Sequence, residues 1–147
     1  METGNLLIDA QSAFARQRRR RRWTRARAWA RRAPRAGRLA ALEDTLGGSP
    51  PSNRRAAGIQ AIPLDSIVGT AEPAKARVFD SRFRVPESSR HRWERLWIAS
   101  RKGAALPPIS VFRLAGEHFV ADGHHRVSVA QAQGMVAIDA EVIELAA

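Results

Sequence analysis

The residues most able to do chemistry are Asp122-Gly123-His124-His125-Arg126. They stand where the apolar run His118-Phe119-Val120-Ala121 gives way to a helical pattern, so the spacing predicts strand, turn, helix. A helix N-terminus leaves backbone N–H groups without intrahelical partners and carries partial positive charge. Gly123 lets the backbone approach a ligand, and His124, His125 and Arg126 add donors in the same turn. Together they suit a phosphate or another oxyanion, which Arg126 would grip in a bidentate fashion. Asp122 has two readings: a helix cap, or a Mg²⁺ ligand or proton acceptor. Glu117 is the other acid offered as a catalytic base. The plainer alternative makes Asp122 a cap only, leaves the histidines on the surface and pairs Arg126 with an acid such as Glu141. No metal site is expected, because adjacent histidines rarely aim at one ion and no well-spaced third ligand is visible. His118, on the strand before the turn, reads as a hairpin residue.

The elements that must position this turn follow from periodicity. Ile109–Leu114 and His118–Ala121 form a hairpin across Ala115-Gly116-Glu117. His124–Gln133 is helical with Val127 and Ala130 inward, and Gly134 ends it. Ala137–Leu145 alternates as a last strand. Ser89–Lys102 is a helix with Trp93, Leu96, Trp97 and Ser100 on one face, capped by Ser88 or Ser89. Ile59–Pro63 reads as a strand, and residues 70–86 as a long loop with local turns. Upstream, Asn5–Arg32 favours helix, stopped by Pro34 and Gly37, and Arg38–Leu46 has leucines at helical spacing. Gly47, Gly48, Pro50, Pro51 and Asn53 mark a linker. The expected division is a basic helical arm over 1–47, a linker over 48–58 and an α+β domain with a small mixed sheet over 59–147.

Charge is divided the same way. Residues 1–58 hold 14 Arg and four acids, and the remainder holds 11 Lys and Arg against 10 acids. The net charge of +11 therefore belongs almost wholly to the first 58 residues. Residues 16–38 contain 12 Arg and no acid, with Trp23 and Trp29 interleaved. Arg18, Arg19, Arg20, Arg21, Arg22, Arg25 and Arg27 are expected to contact DNA phosphates with little sequence preference, the tryptophans stacking on bases or lying against the domain. A solvated helix or an anionic membrane surface are the alternatives for this strip. The chain has no Cys, which excludes disulfides, thiolate metal sites and thiol catalysis. No run is long and apolar enough for a membrane span, nor does the N-terminus have the pattern of a secretory leader, so a cytoplasmic, nucleoid-associated protein is expected.

Three stretches then resemble the ParB/sulfiredoxin superfamily: Ile62-Pro63-Leu64-Asp65-Ser66-Ile67, Leu106-Pro107-Pro108-Ile109-Ser110-Val111, and Val120 to Ala130 around the Asp-Gly-His-His-Arg turn. The resemblance covers about Ile59 to Leu145. It implies a nucleotide cofactor, CTP, ATP or ADP with Mg²⁺, held at the turn, and points to Arg77 as an upstream phosphate ligand, with Arg82 and Arg84 competing for that place. Sulfiredoxins carry a catalytic Cys where His124 stands, so their reaction is not implied. Partition clamps carry Gly-Glu-Arg-Arg at Gly123 to Arg126, so CTP hydrolysis is not carried over either. The clamps' helix-turn-helix would follow this domain, and the sequence ends at Ala147, so recognition of a partition sequence is not expected. Three functions stay open: a nucleotide-binding, DNA-associated module related to chromosome partition, a kinase-like phosphoryl-transfer enzyme acting on a small molecule, and an interaction protein with a vestigial pocket. A homodimer is also left open.

Overall fold

The computed structural model describes residues 3–32 and 37–146. Helix α1 (Leu6–Ala30) starts where the Asn5 side chain accepts from the Leu7 and Ile8 amides at 3.1 and 3.3 Å. Its end falls close to the expected one, although Pro34 lies outside the described residues. Next come β1 (Ala40–Ala41) and the single turn α2 (Leu42–Thr45), where the leucine spacing predicts a longer helix. Ala40 and Ala41 instead extend the sheet edge, paired in parallel with Gly69 and Thr70.

Strand β2 (Asn53–Pro63) takes in residues 53–58, which composition assigns to the linker. Glycine and proline content cannot register the reason, which is that the long β6 (Ala137–Ala146) offers an edge from Ala137 to Ala146. Asn53 to Ala56 pair with that edge, an irregularity passes Ala57 and Gly58, and Ile59 to Pro63 pair with the rest. A 3₁₀ turn (Leu64–Ser66) leads to β3 (Ile67–Thr70), and the single turn α3 (Lys75–Val78) lies within the expected loop. Helix α4 (Arg90–Arg101), the hairpin β4 (Ile109–Leu114) and β5 (Glu117–Asp122), and helix α5 (His124–Ala132) lie where the sequence predicts them.

The result is an α+β fold around a six-stranded mixed sheet ordered β1-β3-β5-β4-β6-β2. Alternation along the central strands divides two cores. Val111 and Val120 face the main core with Trp93, Trp97 and Val127, whereas Phe119 and Leu114 face a smaller cluster with Leu42 and Leu145. The basic arm is part of the main core. Ala10, Ala13 and Phe14 are buried in it, and Phe14 meets Trp93 edge to face at 5.6 Å. Gln17 locks the arm in register: its amide donates to the Val85 carbonyl at 3.0 Å and accepts from the Val85 amide at 2.7 Å.

Candidate functional site

The parallel neighbours β3 and β5 end side by side, with Thr70 opposite Val120. Outside the C-terminal ends of parallel strands is where an open sheet leaves a crevice. Here the chain turns through Gly123 into α5, and a cleft of about 530 Å³ opens at the head of that helix. Such a volume suits a nucleotide-sized ligand. One wall is Glu72 and Lys75 from the segment after β3, and the other is Arg92, Arg95, Leu96 and Ala99 of α4. Those four positions fall on one helical stripe because they repeat at i, i+3, i+4 and i+7, while Trp93 and Trp97 take the buried face.

Gly123 occupies the N-cap of α5 with φ of 106°, and no side chain caps the helix. Its first amides therefore face the cleft without an intrahelical partner. A Cβ on Gly123 would come within 2.4 Å of Ile109 Cγ2. Gly123→Ala is expected to destabilise the protein by about 1–3 kcal/mol, from left-handed backbone strain and overpacking. Chemical denaturation measures it, and an unchanged midpoint would mean that the turn tolerates a side chain.

The two histidines differ from free phosphate donors. The His124 ring is buried, bonded through Nε2 to Thr70 Oγ1 at 2.7 Å, with Phe79 and Phe83 at ring distances of 5.4 and 6.4 Å. Burial, followed by the charges of Lys75 and His125, pushes its pKa down to about 4. His125 lies edge-on to Phe79 at 5.1 Å, with Nε2 3.3 Å from Ser89 Oγ. Its pKa is also pushed down to about 4, by burial and then by Arg92 and Lys75. Both rings are neutral at pH 7, so the site's positive charge comes from elsewhere. Ser89 occupies the N-cap position of α4 without a side-chain capping bond.

Arg126 is a brace. It donates to the carbonyls of Pro107 and Pro108 and lies 3.2 Å from Asp122 Oδ2. Asp122 does not cap α5; its side chain is 80% exposed, and Arg126 pairs with it rather than with Glu141. Both terminal nitrogens of Arg126 thus meet protein oxygens at the edge of the cleft. Glu117 sits at the start of β5 and Asp122 at its end, about 17 Å apart at strand rise, so Glu117 cannot act at the turn. Arg77 is exposed on α3 and borders a different cleft, beside Arg25, Trp29 and Asp80. Of its two competitors, Arg84 lies 3.5 Å from Asp80. Arg82 and Arg84 line a third cleft, apart from the turn. Among the described residues no three His, Asp or Glu side chains are grouped to hold a metal ion.

The residues the sequence did not reveal are Lys75, Arg92 and Arg95. All three line the cleft, and among the described residues none is in an ion pair. Arg92 and Arg95 are legible only as the polar side of an amphipathic helix, and Lys75 lies in a stretch without periodicity.

The arginine strip is divided by packing. Arg18 pairs with Glu87 at 2.6 Å, and Arg21 is half-buried and donates to the Val78 carbonyl at 3.1 Å. Arg19, Arg20, Arg22, Arg25 and Arg27 are exposed, as are Trp23 and Trp29, so neither tryptophan lies against the domain core. Among the described residues no helix is long and apolar enough to cross a membrane.

No protein-family model matches the chain, and no curated protein matches it. Among solved structures it is similar to the crystal structure of sulfiredoxin from Arabidopsis thaliana, at 23% identity and a TM-score of 0.42, over 57% of this chain and 82% of that one.

Proposed function

We propose that this protein binds a nucleotide or a closely related phosphate ester in the cleft at the head of α5, as a ParB/sulfiredoxin-like module. The observation that carries this reading is the convergence of Lys75, Arg92 and Arg95, all without ion-pair partners among the described residues, on a helix N-terminus that no side chain caps. Unpaired cations on two walls and free amides at the base are complementary to a polyphosphate. Glu72 and Asp122 on the rim are the carboxylates that a phosphate-borne Mg²⁺ would meet. Leu96 and Ala99 supply the apolar surface for a base or acyl group.

Isothermal titration with CTP, ATP, ADP and inorganic phosphate, each with Mg²⁺, tests the proposal. Arg92→Ala and Arg95→Ala are each expected to weaken binding by about 1.5–3 kcal/mol, the range for hydrogen bonds to charged groups. No binding across the panel, or full affinity in both variants, would sink it. Product analysis after incubation with the bound nucleotide separates a binding module from a phosphoryl-transfer enzyme.

A second reading concerns the arm. The positive charge of α1 and its exposed Trp23 and Trp29 favour contact with nucleic acid, for which cations supply backbone affinity and aromatic rings supply stacking.

A further inference from the structure

The flank of α1 that faces α5 borders another cleft, of about 400 Å³. Arg16 and Arg20 of α1 and Arg82 and Arg84 of the segment before α4 line it, with Ser128 and Gln131 of α5 at its base. Among the described residues no carboxylate is in that lining. Asp80 lies behind it, 3.5 Å from Arg84, and accepts the amides of Arg82 and Arg84 at 2.9 and 2.8 Å. Among the described residues Arg16, Arg20 and Arg82 are in no ion pair.

These guanidinium groups are brought together by the fold. The buried Gln17–Val85 pair fixes α1 against the segment that carries Arg82 and Arg84. Gathering like charges in one cleft destabilises the folded state unless an anion offsets them. Planar guanidinium forks suit phosphate oxygens better than they suit simple halides. The same flank continues past Arg20 to Trp23, which is 64% exposed, and then to Arg27. A row of cations with an exposed ring beside it matches a backbone with bases attached better than it matches a free phosphate. The opposite flank of α1 offers a cleft of only about 140 Å³, with the Asp80 carboxylate among its arginines.

We propose that this cleft takes the sugar–phosphate backbone of a single-stranded nucleic acid, with phosphates on Arg16, Arg20 and Arg82 and a base stacked on Trp23. The proposal rests on the nucleic-acid reading of the arm and adds to it one side of the helix and two residues from outside it.

Fluorescence anisotropy on the full chain tests it, with a short labelled oligothymidine and a duplex of equal length. The variant carrying Arg16→Ala and Arg82→Ala is expected to bind the single strand about tenfold or more weakly. Its log–log salt slope should be shallower by roughly 1.4, about 0.7 for each phosphate that is no longer neutralised. A variant carrying Arg19→Ala and Arg22→Ala removes the same charge from exposed positions outside the cleft and is expected to bind about threefold more weakly or less. Trp23→Ala should weaken single-strand binding about tenfold and leave duplex binding unchanged. All five side chains are exposed, and relief of repulsion should leave the unfolding temperature of the Arg16/Arg82 variant at or above that of the parent. If the full chain binds neither oligonucleotide, the cleft and the arm reading fall together. If it binds and the two double variants are weakened equally, the arm reading stands and the cleft is overturned.

Discussion

Phe14→Ala is expected to lower the free energy of unfolding by about 3–5 kcal/mol, the range for truncating a buried aromatic side chain. Phe14 belongs to a helix whose charge marks it as a separate arm, yet it is 1% exposed and sits edge-on to Trp93 in the middle of the main core. Removing its ring leaves a cavity between α1 and the Trp93 ring and Arg90 guanidinium of α4, groups held by a different helix that cannot readily collapse into it. Chemical denaturation followed by Trp93 and Trp97 fluorescence measures the change. A decrease below about 1 kcal/mol would show that the helix docks too weakly to belong to the core. The same packing bears on truncation. A chain beginning at Ile59 lacks α1, β1 and the part of β2 that pairs Asn53 to Ala56 with β6. It is expected to show no cooperative unfolding transition, so nucleic-acid binding by the arm has to be measured with point variants of the whole protein.

The second large effect is on pH dependence. His124 and His125 have folded-state pKa values pushed down to about 4, against 6.5 in an unfolded chain. Above pH 6.5 both states hold neutral rings, and the stabilisation is fully present. As pH falls below 6.5 the unfolded chain takes up protons that the folded chain refuses, so stability is lost until the folded rings titrate near pH 4. Each proton is worth up to about 1.4 kcal/mol per pH unit. Both rings border a cleft open to water, so a loss of about 3 kcal/mol across the window is expected. The depressed pKa of His118, caused by burial, acts in the same direction. Unfolding midpoints between pH 6.5 and 5, a range above most carboxylate titrations, give the slope. A variant carrying His124→Asn and His125→Asn should show a much flatter profile, whatever its absolute stability. An identical slope in both proteins would mean that the two rings are not held neutral. Bound phosphate should flatten the parent profile as well, because an anion beside the rings offsets Lys75 and Arg92 and raises their pKa values.

Local signals carried far in this protein. The hairpin over β4 and β5, the stop at Asp122-Gly123 and the helices α4 and α5 are legible because each depends on neighbours a few residues away: alternation, turn residues, and apolar positions three and four apart. The head of α5 was identifiable as a candidate anion site for the same reason, since a glycine between a strand and a helix is a local pattern. The composition also set the arm's charge, which no fold can change. Other features depend on what the chain meets at a distance. Residues 53–58 look like a linker and become a strand because β6 offers them an edge. The basic arm looks detachable and is buried along one stripe because Gln17 and Phe14 find Val85 and Trp93. The tertiary structure also redistributed roles within the candidate site. It tied Arg126 to Asp122 and to the Pro107 and Pro108 carbonyls, buried His124 against Thr70, and set Glu117 at the far end of β5. In exchange it brought Lys75, Arg92 and Arg95 to the cleft. A residue's type is a property of the sequence, but whether its charge is paired, buried or free depends on groups that only folding places beside it.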